Sequence, residues 1–216
     1  EASLINDECM DMVIHAIREG VTEKELALKV ENFFKARGCN SLGFSIVGMG
    51  KNGADPHHDA DETVLKEGDS IVIDIGAPFN HYWCDMTRTV FYKSVSEKQR
   101  EIYETVRRAN EAAIAKIKPG VAFKEFDLAA RKVIEDAGYG EYFTHRTGHS
   151  IGMKEHEKPP VASDCEVIAR PGMVFSIEPG IYLPGQFGVR VEDLVLVTED
   201  GCEVLNKYTK DLIVVE

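Results

Sequence analysis

Apolar residues at Ile5, Cys9, Met10, Val13, Ile14 and Ile17 recur every three or four positions, which predicts an amphipathic helix stopping near Gly20. Thr22, with Glu25 three positions on, forms a capping box and opens a second helix that Gly38 ends. The pattern then changes. Runs rich in β-formers at Phe44–Val47, Ser70–Ile75 and Tyr82–Tyr92 predict strands, and the polar stretch GKNGADPHHDADE between the first two predicts a loop. Ser96 with Gln99 opens a third helix carrying Ile102, Val106, Ala109, Ala113 and Ile117, and a fourth runs from about Phe123 to Gly138. Further strands are predicted around Met173–Ile177, Val189–Val197 and Leu212–Val215.

The two halves of this pattern match. IREGVTEKELALKVENFFKARG (Ile17–Gly38) and IKPGVAFKEFDLAARKVIEDAG (Ile117–Gly138) align without gaps at Ile, Gly-Val, Lys-Glu, Leu and the final Gly. Gly68, Asp74 and Gly76 recur in spacing as Gly172, Glu178 and Gly180, and each half has a second acid in a following strand, Asp85 and Glu192. Similar helices alone are a common coincidence; acids recurring at equivalent strand positions point to internal duplication. Two halves of helix pair plus hairpin predict a curved antiparallel sheet with helices on one face. Pseudo-twofold symmetry then brings the four carboxylates together. In the first hairpin, Gly76 and Pro78 between Asp74 and Asp85 predict strand, turn, strand.

Asp74 lies within the apolar run Val72–Ile75, and a carboxylate facing a core needs a positive partner. Alone, it would be read as half of an ion pair with Arg or Lys. Four converging carboxylates repel one another strongly, so without cations some would take up protons. Two divalent ions remove the conflict, and His149 in HRTGHSIG is the candidate imidazole for an otherwise all-oxygen set. Such a donor set suits Mn²⁺, Co²⁺, Fe²⁺ or catalytic Zn²⁺ rather than a closed structural zinc site. Two ions of this kind serve amide hydrolysis. His57 and His58 are adjacent, so only one of them can face such a site. Glu192 is followed by Asp193, and the residues alone leave open which of the two ligates.

The segments PHH (Pro56–His58), IDIG…CDMTRT, HRTGHSIG, SIEPG and VRVED, in that order, resemble the five motif blocks of the pita-bread metallopeptidases, peptidase family M24. This family contains methionine aminopeptidase, aminopeptidase P and prolidase (Xaa-Pro dipeptidase). The resemblance covers essentially all 216 residues. It implies an α+β pita-bread (creatinase/aminopeptidase) fold, with a curved antiparallel sheet flanked by two pseudo-twofold-related helix pairs. Residues 1–216 would form the catalytic domain, without the N-terminal domain that prolidases normally carry.

The resemblance implies Asp74 and Asp85 as metal ligands, with Asp85 and Glu192 bridging, and His149 and Glu178 on the other ion. Glu178 would also relay protons, and the family pattern selects Glu192 over Asp193. His57 and His156 correspond to the substrate-side histidines. Arg190 and His145 are expected just outside the ligands, Arg190 neutralising the acidic site. The wording -MTRT-, -EPGIY- and -VRVED- resembles the proline-specific branch more than methionine aminopeptidase. The implied cofactors are two divalent metal ions, manganese or cobalt first, with zinc or iron as alternatives, and the implied partner is a short peptide substrate.

Three departures stand out: Ser150 after the metal histidine in place of Gly, Met153-Lys154-Glu155 before His156, and Pro160 where many prolidases carry Arg. Rival readings are a methionine aminopeptidase-like enzyme, a metal-free hydrolase such as creatinase, or a non-catalytic pita-bread peptide-binding module. The last two usually lose the ligands, which are all present here.

Net charge of −12 argues against binding a nucleic-acid backbone. Five cysteines, an odd number without CxxC, fit reduced thiols and a cytoplasmic location. No apolar stretch is long enough for a membrane span. A homodimer of a longer protein stays open.

Overall fold

The computed structural model describes residues 1–39 and 43–216. Helices α1 (Ala2–His15) and α2 (Glu23–Ala36) lie where the apolar spacing predicts. The Thr22 capping box is formed, its side chain accepting from the Glu25 N–H while the Glu25 carboxylate accepts from the Thr22 N–H. Strand β1 (Phe44–Met49) pairs antiparallel with β2 (Ser70–Phe79), which forms a hairpin with β3 (Tyr82–Tyr92).

The expected strand, turn, strand forms, but Gly76 and Pro78 are not its turn residues. Strand β2 runs straight through both residues, and the chain reverses at Asn80-His81, with φ of 49° and 72°. Two consecutive residues at positive φ match the tight hairpin turns whose twist suits the flanking strands. Pro78 is tolerated because β1 pairs with β2 only as far as Gly76, so no outer neighbour needs its missing N–H.

The second half repeats the plan with α3 (Glu97–Ile114) and α4 (Phe123–Asp136), the former opened by the Ser96–Gln99 capping box. Seven strands follow through the last part of the chain: β4 (Gly148–Ser150), β5 (Glu157–Val161), β6 (Val174–Ile177), β7 (Gly180–Leu183), β8 (Phe187–Arg190), β9 (Asp193–Val197) and β10 (Cys202–Val204). A short β11 (Val214–Val215) closes it. Strands β4, β5, β7 and β10 lie outside the predicted runs, each being too short to show a period.

Hydrogen bonding gives the orders β1-β2-β3-β11, β10-β9-β6-β4-β5 and β7-β8. All pairs are antiparallel except β11 with β3. One register runs through both β6–β9 and β7–β8, so the second hairpin is a single long ladder interrupted near Glu178 and Glu192. The two hairpins join at the centre, where the Glu192 N–H donates to the Thr87 carbonyl at 3.1 Å.

The pseudo-symmetry extends to small details. A single bridge ties Thr22 to Val64 in one half and Ala122 to Ile168 in the other. Asn6 on α1 donates to the Ile75 carbonyl and Asn110 on α3 to that of Ile177, so both helices tie to their hairpin by an Asn, though the acceptors are two residues out of register. One expected equivalence needs correction. Gly76 pairs with Asp85, but Gly180, its counterpart, pairs with Arg190. Arg190, not Glu192, therefore stands where Asp85 stands in the first half. Glu192 still faces the site because residues two apart on a strand share a face.

Each half has its own apolar core. Met10, Leu26 and Ile73 belong to the first, and Val106, Phe126 and Phe175 to the second. Each such side chain contributes about 1.5–3 kcal/mol through burial. Polar residues from both hairpins collect between these cores. No described helix is long and apolar enough to cross a membrane.

Candidate active site

A cleft of about 650 Å³ opens where the hairpins meet. Its size falls within the range of small-molecule and short-peptide sites. Asp74, Asp85, His149, Glu178 and Glu192 line it, together with His57, His145, His156 and Arg190. The structure thus brings every anticipated site residue to one cavity.

The acids sit where their strands require. Asp74 on β2 and Asp85 on β3 are buried, as is Glu192 just before β9. His149 is central in the short strand β4, which presses on β6: a Cβ on Gly148 would lie 2.0 Å from the Ser176 carbonyl oxygen. That approach lets the His149 N–H donate to Ser176 Oγ at 3.0 Å, while Ser176 Oγ donates to Glu178 Oε1 at 3.1 Å. His149 Nε2 lies 3.4 Å from Asp85 Oδ2 and 3.5 Å from Glu178 Oε1. Donor atoms of Asp85, His149 and Glu192 all lie within 4.8 Å of one another. Asp74 and Glu178 flank this trio rather than joining it.

Arg190 answers part of the negative charge. Its Nη2 donates to Asp74 Oδ2 at 2.6 Å, Nε to Thr87 Oγ1 at 3.0 Å, and Nη1 to Tyr182 Oη at 2.8 Å. Burial works against the guanidinium charge, but the Asp74 and Glu178 carboxylates, with the hydrogen bond to Tyr182, outweigh it and hold the group firmly protonated. Burial pushes the Tyr182 hydroxyl up to about 12, so it stays neutral. Thr87 passes the contact on, donating to Glu192 Oε2 at 2.6 Å. His145 Nε2 lies 2.8 Å from Tyr182 Oη, and burial lowers the pKa of this histidine.

These partners do not satisfy the acids. Asp74 Oδ1, Asp85 Oδ1 and Glu192 Oε1 are buried without a hydrogen-bond partner. Burial first, and then neighbouring carboxylates, push Asp85 and Glu192 well above the usual carboxylate range. Asp74 is also raised by burial, with Arg190 offsetting part of the effect. Orphaned buried oxygens converging beside an imidazole are the signature of a cation-binding set, since leaving them unpaired is costly. The donors present fit divalent metal ions.

The histidine pair divides as its alternation predicts. His57 is exposed on the cleft wall, while His58 turns away to Glu23. His156 is exposed with its ring 4.0 Å from that of His149; burial lowers its pKa first, helped by His149 and Arg146, which favours the neutral form. Of the two adjacent acids, Glu192 lines the cleft. Asp193 faces the opposite side, where Arg88 Nη2 lies 2.7 Å and Lys210 Nζ 2.9 Å from its oxygens.

The model of metallopeptidase family M24 matches residues 1–199. The chain belongs to this family. As an M24 member it is 44% identical to the Xaa-Pro dipeptidase of Pyrococcus furiosus over 99% of its own length and 62% of that protein. It resembles the crystal structure of dipeptidase PepE from Mycobacterium ulcerans with a TM-score of 0.96 and 41% identity, over 99% of this chain and 58% of that one. The X-Pro aminopeptidase of Thermotoga maritima is similar at a TM-score of 0.95 and 38% identity, covering 99% of this chain and 61% of that one. The chain therefore spans about three-fifths of the length of these relatives. The likeness confirms the α+β pita-bread fold expected for an M24 protein.

Thr87, Ser176 and Tyr182 escaped the sequence reading because a lone hydroxyl in a β-rich run looks like any strand residue. Glu155, in the second departure from the family pattern, lines the cleft mouth. Ser150 is accommodated, its hydroxyl donating to the Pro159 carbonyl at 2.7 Å.

Proposed function

We propose that residues 1–216 form the catalytic domain of a dinuclear-metal exopeptidase that hydrolyses the bond between an N-terminal residue and proline. The observation that carries this reading is the set of orphaned carboxylate oxygens on Asp74, Asp85 and Glu192 beside His149. Membership of a metallopeptidase family and similarity to proteins named as Xaa-Pro dipeptidases and an X-Pro aminopeptidase support it.

Asp74, Asp85, His149, Glu178 and Glu192 would hold two divalent ions, with manganese or cobalt the first expectation for this oxygen-rich set. The chemistry these ions supply is Lewis-acid activation of water and of the scissile carbonyl. The remaining work belongs to the chain itself. Glu178, its side chain only 17% exposed and steadied by Ser176, is suited to accept a proton from the attacking water. It would then hand that proton to the imide nitrogen of the departing proline, which has no N–H of its own in the intact bond. His57 and His156 on the cleft wall would hydrogen-bond the substrate and steady charge developing on its carbonyl oxygen. Arg190, pinned by Thr87, Tyr182 and Asp74, keeps the acids in place.

Pro160 stands on β5 where an Arg would hold the free carboxylate of a dipeptide, so Xaa-Pro-Yaa peptides should be cleaved at least as well as Xaa-Pro. The test is to load the protein with Mn²⁺ or Co²⁺, count bound metal, and measure free alanine from Ala-Pro and Ala-Pro-Ala. Strong preference for Ala-Pro would assign a dipeptidase; release only from Met-Ala peptides would reject proline specificity.

A further inference from the structure

His58 has no part in the chemistry above, yet it is more tightly held than His57. Its Nε2 lies 2.7 Å from Glu23 Oε2, and the Glu23 side chain is fully buried at the first position of α2. Glu23 gathers four partners. Oε1 accepts from the Met49 N–H at 2.7 Å and Asn52 Nδ2 at 3.0 Å; Oε2 accepts from His58 Nε2 and from the Asp61 N–H at 3.1 Å. These donors come from both arms of the polar stretch that carries His57. Glu23, His58 and Asp61 have the right atoms for a metal site. However, a carboxylate has about four acceptor positions, and here each is matched by a donor, so a cation finds none free.

The internal repeat shows how the same position is filled in the other half. The bridges Thr22–Val64 and Ala122–Ile168 make Glu23 and Phe123 counterparts. Phe123 is an ordinary core ring, 4.6 Å from Phe175 and fully buried. A helix-to-sheet joint that one half fills with a phenyl ring is filled in the other by a carboxylate, which costs free energy to bury unless its bonds serve something. Both halves carry a cleft histidine after their first strand, His57 and His156; what distinguishes the first is that the side chain at this joint hydrogen-bonds the loop that bears it, which the Phe123 ring cannot do. That loop is also pinned on its far side. A Cβ on Gly188 of β8 would lie 1.8 Å from the Gly53 carbonyl oxygen, and the Pro56 carbonyl accepts from Arg190 Nη1 at 3.3 Å.

We propose that Glu23 and His58 are positioning residues that hold the loop over residues 50–61 so that His57 points into the cleft. This rests on the reading of His57 as a substrate-side histidine. The loop is clamped between a buried carboxylate hub at α2 and the arginine of the site, and His58, the neighbour of His57, supplies a side-chain bond to that hub.

The test compares His57→Ala, His58→Ala, His58→Gln, Glu23→Gln and the double variant lacking both histidines, each metal-loaded and assayed on Ala-Pro-Ala. Amide hydrogen exchange is measured in parallel. His58→Ala should lower kcat roughly ten- to a hundredfold, with KM and metal content little changed, since small misplacement of a reacting group is enough for that loss. It should also speed exchange of the amides over 50–61. His58→Gln, which keeps a donor toward Glu23, should recover most of the rate, and Glu23→Gln should loosen the same amides if it folds. Once His57 is absent, removing His58 should lower kcat by less than about twofold, because the two losses share one cause. Full multiplication of the two effects, or unchanged exchange over 50–61, would overturn the proposal. If His57→Ala leaves kcat intact while His58→Ala still loosens the loop, the catalytic role of His57 fails and the clamp stands.

Discussion

Thr87→Val tests whether the hydroxyl between Arg190 and Glu192 organises the acidic centre. Valine nearly keeps the shape of this fully buried side chain, so little packing is lost. What disappears is a 2.6 Å hydrogen bond to Glu192 and an acceptor 3.0 Å from Arg190 Nε. Without metal, burial pushes Glu192 toward its neutral form, to which a hydrogen bond is worth about 0.5–1.5 kcal/mol, and stranding a buried donor costs about 1–3 kcal/mol. Arg190 keeps Tyr182 and Asp74 as partners, so the second term should fall at its low end. The expected loss is therefore about 2 kcal/mol of stability, measured by urea unfolding of metal-free protein. A residue that orients a ligand typically changes metal affinity by about 10–100-fold, so Mn²⁺ should bind more weakly by that factor in a competition titration against a chelating indicator. Thr87→Ser retains the hydroxyl and should lose only about 1 kcal/mol, near the value of one buried methyl. If Thr87→Val unfolds and binds Mn²⁺ like the parent, or Thr87→Ser is equally damaging, the hydroxyl is not what matters.

Glu178→Gln should abolish turnover more completely than it weakens substrate binding; equal losses in kcat and affinity would remove Glu178 from the proton relay. His57→Ala and His156→Ala should each lower kcat while metal content holds, and stoichiometric metal loss in either would show that the histidine is a ligand. Asp85 and Glu192 are raised in the folded chain by burial and then by neighbouring carboxylates, so their protonation favours folding. That contribution is full below the ordinary carboxylate pKa of about 4 and is lost as pH rises through their higher folded values. The gain in Tm on adding Mn²⁺ should therefore grow from pH 5 to pH 8, and a gain that shrinks would contradict the electrostatic account. Arg88→Met leaves the buried Asp193 with Lys210 as its remaining cationic partner and should cost about 3 kcal/mol in urea unfolding, the low end for breaking a buried ion pair, while the parent and variant bind Mn²⁺ alike if Asp193 is outside the site.

The helices and the order of the chemistry were written locally. Thr22 with Glu25 and Ser96 with Gln99 announced two helix starts, because a capping box closes within one turn of chain. The acids and His149 could be picked out in order, since their motifs are contiguous. Even the simplest reading of Asp74, an ion pair with arginine, was half right: Arg190 takes Oδ2, and Oδ1 is left without a partner. Other features depended on pairing across the molecule. The turn at Asn80-His81 was obscured by Gly76 and Pro78, which are usual turn residues but here lie within a strand whose outer neighbour has ended. Strands β4 and β5 have no period of their own and exist because β6 and α4 give them something to pack on. The counterpart of Asp85 proved to be Arg190, two residues from the expected Glu192, because register is set by the whole ladder rather than by motif spacing. Thr87 and Glu192 lie 105 positions apart, as do Arg88 and Asp193. Apolar period and caps act over a few residues, so they determine elements; which buried polar atoms meet, and which stay unpaired to face a cation, is decided only when the two halves close on each other.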